Sequence, residues 1–154
     1  MQEDLVQPEE NIETQARIIL NMIAISQNIE GNKRIGELWR PKKDDFYQVF
    51  KAEVAEKVYH NYEVVFASET PYPYANAGQI SLLLGLSKPE SFANSRIFPH
   101  GYQGLEEYLN PNITWLAWKF VEPGKRRGLA YNGLVWLEDR FVWFPKPWKL
   151  LPEE

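Results

Sequence analysis

The sequence predicts a single α+β domain, with N-terminal amphipathic helices packed on an antiparallel β-sheet that ends in a C-terminal meander. Three observations carry this expectation. Residues 113–121, 129–137 and 140–144 are runs rich in β-branched and aromatic residues, and they hold four of the six tryptophans. That composition suits a pleated surface. Turn residues separate the runs, and apolar residues recur at helical spacing through positions 12–29 and 46–58.

Taken in order, residues 1–10 are acidic and polar with Pro8, and read as a loose arm before a domain spanning 11–145. Asn11 or Thr14 is placed to cap the first helix. Ile12, Ala16, Ile19 and Ile23 form one stripe of that helix, and Ile18, Met22, Ile25 and Ile29 a neighbouring one. Two adjacent stripes predict a mostly buried helix, with Gly31 as its C-cap.

Residues 32–43 are the basic segment, with Lys33, Arg34, Arg40, Lys42 and Lys43 around Leu38 and Trp39. It reads as a solvated loop whose tryptophan tucks into the core, or as a docking site for an anionic group. Asp44 or Asp45 caps a second helix, in which Phe46, Val49, Phe50, Val54 and Val58 repeat at helical spacing. Residues 62–67 then read as a strand. Pro71, Tyr72, Pro73 and Tyr74 predict an extended stretch that presents two tyrosines, either a loop pinned by its rings or a lid or peptide-like epitope. Residues 77–86 read as a short buried helix. Ser87 with Glu90 three residues later has capping-box spacing, which predicts another short helix through Ser95. A loop follows at 98–102, then one helical turn at 105–109.

In the meander, Glu122, Pro123, Gly124 and Lys125 make the first turn, since proline presets φ and glycine accepts a positive one. Glu138 and Asp139 make the second. The two-residue period puts Trp115, Ala117 and Val121 on one face of the first strand, opposite Leu116, Trp118 and Phe120. In the second strand it groups Leu129, Tyr131, Val135 and Leu137 against Ala130, Leu134 and Trp136. Neither face is polar, so both need cover. The cover is either the chain's own helices and loops, or a partner on an exposed aromatic patch. Residues 146–154, with Pro147, Trp148, Leu150 and Pro152, read as an extended tail.

One domain suits 154 residues, and 44% hydrophobic with 14% aromatic residues allows a sizeable core. A net charge of −4 and a pI near 5.3 argue against general nucleic-acid binding. The chain has no cysteine, so disulfides, thiolate metal sites and a cysteine nucleophile are excluded. No apolar run approaches the ~20 residues of a membrane helix. Without a recognisable signal segment, the cytoplasm is the default compartment, with a mature secreted or trimmed form left open. Asn112, Ile113 and Thr114 fit a glycosylation sequon, relevant only in a eukaryotic secretory protein.

No nucleotide-binding, zinc-protease, EF-hand or nucleophile-elbow motif occurs. His60 and His100 lack metal-ligand spacing, and neither a metal nor a cofactor is expected. His100 is the best acid/base candidate by residue type. His60 reads as a helix-end residue. The paired carboxylates Asp44/Asp45 and Glu138/Asp139 fall where caps and turns already account for them. The binding candidates are the aromatic residues Trp39, Trp115, Trp136 and Trp143, with Arg40, Arg126 and Arg127 as a basic rim.

The element order resembles cystatin-like or NTF2-like α+β folds. The stretch ARIILNMIAISQ resembles the soluble part of a pilin helix, without the apolar N-terminal segment of pilins. These likenesses carry no site residues over. The sequence thus points to a non-enzymatic protein-interaction or self-associating module that uses an aromatic sheet face. The alternatives are a small NTF2-like enzyme or ligand carrier with a pocket between helix and sheet, in which His100 or Glu138 takes part, and a structural appendage of a larger assembly.

Overall fold

The computed structural model describes residues 9–152. Four helices precede a four-stranded antiparallel sheet, the α+β arrangement expected. The helices are α1 (Glu9–Ser26), α2 (Ile29–Leu38), α3 (Lys43–Val49) and α4 (Ala52–Ser68). The strands are β1 (Ser81–Ser87), β2 (Trp115–Val121), β3 (Gly128–Leu137) and β4 (Arg140–Trp143), in spatial order β1-β2-β3-β4. Three short 3₁₀ turns, Pro89–Asn94, His100–Tyr102 and Leu105–Tyr108, fill the β1–β2 connection, and a fourth, Pro147–Lys149, follows β4.

The chain's own elements cover both sheet faces. On one face Trp115, Ala117, Val135 and Val142 pack with Phe46, Phe50 and Val58 of the α3–α4 layer, and with Phe92 and Tyr102 of the connection. On the other, Leu116, Trp118, Phe120 and Leu134 pack with Ile12, Ala16, Leu20 and Ile23 of α1 and with Trp39. Burying a side chain of this size is worth about 1.5–3 kcal/mol, so each layer makes a large contribution.

Several local expectations are overturned. The first helix stops at Ser26, because Gln27 takes a left-handed conformation (φ 53) and Asn28 caps a new helix, its side chain accepting the Gly31 N–H at 2.9 Å. Gly31 therefore lies in the first turn of α2, and most of the basic segment is helical up to Leu38. In α1 the first stripe is buried at Ile12, Ala16 and Ile23, with Leu20 and Ala24 beside it, whereas Ile18, Met22, Ile25 and, in α2, Ile29 are all more than half exposed. Lys42, rather than an aspartate, is the N-cap of α3, while Asp45 at the third position accepts the Lys42 N–H at 2.8 Å.

Residues 62–67 continue α4 instead of forming a strand. Their Tyr and Phe carry on the stripe Val54, Val58, Tyr62, Phe66, all buried against the sheet layer. Packing of that stripe outweighs the β-favouring composition. Conversely, residues 81–87 form a strand rather than a helix, because β2 offers an unpaired edge along their whole length. The helix after Ser87 is a 3₁₀ turn, and the tail folds back. Its carbonyls at Pro145 and Leu150 accept bonds from Tyr62 and Asn61 of α4, and Trp148 packs edge-on to Tyr102 at 5.3 Å. Of the expected N-terminal arm, residues 1–8 lie outside the described residues; Glu9 and Glu10 open α1.

The two meander turns fall where the sequence placed them. The face assignment of β3 changes, however. Leu116 faces Leu134 and Ala117 faces Asn132, which leaves Gly133 as an extra residue in β3. Gly133 has φ 91, and a Cβ there would lie 2.1 Å from the Phe144 carbonyl oxygen, so glycine alone fits. This bulge reverses the alternation. Tyr131 consequently joins Leu134 and Trp136 on the α1 side, while Val135 and Leu137 remain on the other.

Candidate functional site

The structure does not gather the sequence-predicted residues into one surface. Trp115 is fully buried on the α4 side of the sheet. Trp39 and Trp143, each 4% exposed, lie on the opposite side with the half-buried Trp136. Trp39 packs edge-on to Trp118, Phe141 and Trp143, and the Trp143 N–H donates to its carbonyl at 2.8 Å. Arg40 is held at the end of α4, with Nη1 donating to Thr70 Oγ1 at 3.2 Å, Nη2 3.7 Å from Glu63 and its guanidinium over the Phe66 ring. Arg126 and Arg127 are exposed in the β2–β3 turn.

His100 is exposed in its 3₁₀ turn, and Glu138 occupies the β3–β4 turn with φ 58. His60 is not at a helix end but inside α4, where its Nε2 is 2.9 Å from Glu56 Oε2 and Tyr47 donates to the other carboxylate oxygen. Those bonds, Tyr47 first, hold Glu56 below the usual carboxylate range. Tyr47, Glu56 and His60 are all exposed on α3 and α4.

What the fold does assemble is an open groove of about 780 Å³ between the end of α4, the 69–74 loop, β3 and the tail. Tyr62 and Trp143 contribute its floor. Tyr72, Tyr74 and Tyr131 provide aromatic walls, and Lys146 and Lys149 stand on one rim with Glu69 among the lining residues. The bulge at Gly133 is what turns Tyr131 to this side. Its ring stacks on Trp118 (5.3 Å, 21°).

The Tyr131 phenol donates to the Tyr74 carbonyl at 2.9 Å and accepts the Tyr74 N–H at 3.0 Å, pinning the loop to the sheet. Burial pushes this phenol up to about 12, with its bond to Tyr74 pulling the other way, so it remains a neutral donor at physiological pH. Gly36 of α2 sets the loop's other side, since a Cβ there would meet the Pro71 carbonyl oxygen at 2.3 Å and Tyr72 Cβ at 2.8 Å. Lys33 caps the row with its ammonium 5.8 Å from the Tyr72 ring centre.

Behind the groove, Asn132 anchors the tail. Its Oδ1 accepts the Lys146 N–H at 3.1 Å and the Tyr102 phenol at 2.7 Å, and its carbonyl accepts Trp143 Nε1–H at 2.7 Å. Lys146 is held in the left-handed region (φ 49), a conformation an ordinary side chain adopts at a cost of about 1 kcal/mol or more. Of these groove residues, the sequence offers Trp143 as a binding candidate, Tyr72 and Tyr74 as a pinned loop, lid or epitope, and Lys33 as part of a basic segment. The Pro-Tyr-Pro-Tyr stretch and the Pro-Lys-Pro stretch are the groove's visible traces.

Comparison of the chain with protein-family models, with curated protein sequences and with solved structures finds no match.

Proposed function

We propose that the protein is a protein-interaction module whose groove receives an extended segment of a partner, apolar or proline-containing at its centre and acidic beside it. The observation that carries this reading is the groove itself, with three tyrosines on a pinned loop and strand, and two lysines on one rim. Tyrosines supply large, rigid contact area at low entropic cost, which is how aromatic-lined grooves take extended, proline-containing chains. The lysines supply charge complementarity to acidic side chains on a chain that is otherwise net negative. The strained Lys146, fixed by Asn132, places a cation at the rim at an energetic cost, a pattern common at binding sites.

The sheet tryptophans play a supporting part in this reading. Trp115 is fully buried, so Trp115→Ala acts through stability at a cost of about 3–5 kcal/mol.

The test is a peptide-display selection from a random library on the native protein, with counter-selection on Tyr74→Ala/Lys149→Glu. Both residues are exposed, so the variant keeps the fold. Enriched peptides are expected to carry acidic residues next to proline or aromatic ones. Each should lose about tenfold or more in affinity on either single substitution. Absence of enrichment over the counter-selected variant overturns the reading. A second reading, carriage of an apolar small molecule, rests on the same position between helix and sheet. It predicts co-purifying mass, seen by native mass spectrometry, that is lost in Tyr131→Ala.

A further inference from the structure

The two edges of the sheet are treated differently. On one side, β4 is only four residues long, contains Arg140, and is closed by the Trp143 N–H bonding to the Trp39 carbonyl. Short length, charge and cover are the usual protections of an edge. The other edge, β1, has none of them among the described residues. It is seven residues, Ser-Leu-Leu-Leu-Gly-Leu-Ser, with no charge, proline or register shift.

Its free main-chain groups follow from the register. Trp136 N–H donates to Thr114 O at 3.3 Å, so Trp115, opposite Val135, lies between ladder bonds on the β3 side and turns its own N–H and C=O toward β1. The β1–β2 pairing is uninterrupted, with Ser87 opposite Trp115. Ser81, Leu83, Gly85 and Ser87 therefore bond to β2, and Leu82, Leu84 and Leu86 direct theirs outward. Among the described residues, nothing bonds to those outward groups. The side chains of the same three leucines pack toward α1, yet none is fully buried, so their lateral flank is open.

We propose that β1 is a self-pairing edge: two copies of the chain join antiparallel through it about a two-fold axis, making one continuous eight-stranded sheet. The strand's own sequence selects a second copy as the occupant. With Leu84 on the axis, Ser81 meets Ser87, Leu82 meets Leu86 and Leu83 meets Gly85, so all seven residues pair without any charge conflict. About six main-chain bonds form, two for each outward pair. The Leu83 side chain lands over Gly85 of the other copy, beside the Ile97 that lies on that glycine (3.0 Å from its Cβ position). The surface is isologous, as a two-fold interface requires.

This register places Ile80 opposite Lys88 of the second copy, at both ends of the interface. Ile80 lies outside the strand and is 53% exposed, so it can be changed without disturbing the fold. The experiment is native mass spectrometry with a dilution series, on the native chain, Ile80→Lys and Ile80→Glu, with amide hydrogen exchange alongside. A species of twice 18.1 kDa is expected, with Leu82, Leu84 and Leu86 amides protected only in the dimer. Ile80→Lys should raise the dimer Kd and Ile80→Glu lower it, each by roughly 2- to 30-fold for two cross-strand charge pairs. A monomer at micromolar concentration overturns the proposal. So does a dimer whose Kd ignores both substitutions, or one that leaves those amides unprotected.

Discussion

The Tyr102 phenol donates to Asn132 Oδ1 at 2.7 Å, joining the β1–β2 connection to the strand that carries the bulge. The same oxygen accepts the Lys146 N–H at 3.1 Å, and Asn132's carbonyl accepts Trp143 Nε1–H. One buried side chain thus satisfies a core phenol and the backbone of the groove's strained rim. Tyr102→Phe should cost about 0.5–1.5 kcal/mol, since the oxygen keeps its second donor. Asn132→Leu strands both donors and should cost about 2–4 kcal/mol. Urea denaturation of the two variants checks this. Equal losses would mean that Asn132 is not a hub.

Alkali should unfold the protein through its buried tyrosines. Burial raises Tyr62 and Tyr102 well above the ordinary value near 10, and Tyr131 to about 12. The folded state holds these protons more tightly than the unfolded chain does. The stability they contribute is therefore complete below about pH 10, and it is lost as pH rises above that toward the folded values. Tyr62 and Tyr102, both fully buried, should each steepen the loss of stability with rising pH. Tyr131, only half-buried, contributes less because solvent screens it. Melting temperature followed from pH 8 to 12 with tyrosinate absorbance reads this directly. Tyr102→Phe should flatten the slope, and an unchanged slope would contradict the assignment.

Asp45 ties the helical layer to the edge of the sheet. Its side chain is 2% exposed and accepts Arg140 Nη2 at 2.5 Å and the Lys42 N–H at 2.8 Å. Arg140→Leu leaves that carboxylate buried with one donor. The expected loss is about 2–3 kcal/mol, below that of a fully enclosed pair because Arg140 is 41% exposed. Adding Asp45→Asn should restore part of it. Chemical denaturation of the double-mutant cycle decides, and additive losses would show the pair to be uncoupled.

Gly36 lets α2 approach the loop that carries Tyr72 and Tyr74. Gly36→Ala should push the Pro71 carbonyl away, at a cost of about 1–3 kcal/mol. Helix propensity returns at most about 1 kcal/mol of that. Fluorescence of a reporter at Tyr72 or the crystal structure of the variant should show the loop displaced from Tyr131. A stabilised protein with an unmoved loop would refute the packing argument.

The readable and unreadable parts of the chain divide along physical lines. The meander was legible because its signals are local: β-branched and aromatic runs, a Pro-Gly turn at 123–124, and a polar turn at 138–139. The first stripe of α1 was legible for the same reason, as was the need to cover both sheet faces. Residues 62–67 and 81–87 exchanged identities, since a short apolar run carries no period of its own. The α4 stripe through Tyr62 and Phe66 and the open edge of β2 supplied what those runs lacked.

The candidate site was hardly visible. The expected basic rim divides between Arg40, which is tied to Thr70 and Glu63, and Arg126 and Arg127, which stand exposed in a turn, and the expected aromatics are tryptophans on opposite faces of the sheet. By itself the sequence determined the fold class, the meander and its turns, because propensity and turn chemistry act over a few residues. Only the tertiary structure decided which face each side chain serves. One extra residue at Gly133, admitted where Phe144 crosses too closely for any Cβ, turned Tyr131 away from Val135 and into the groove.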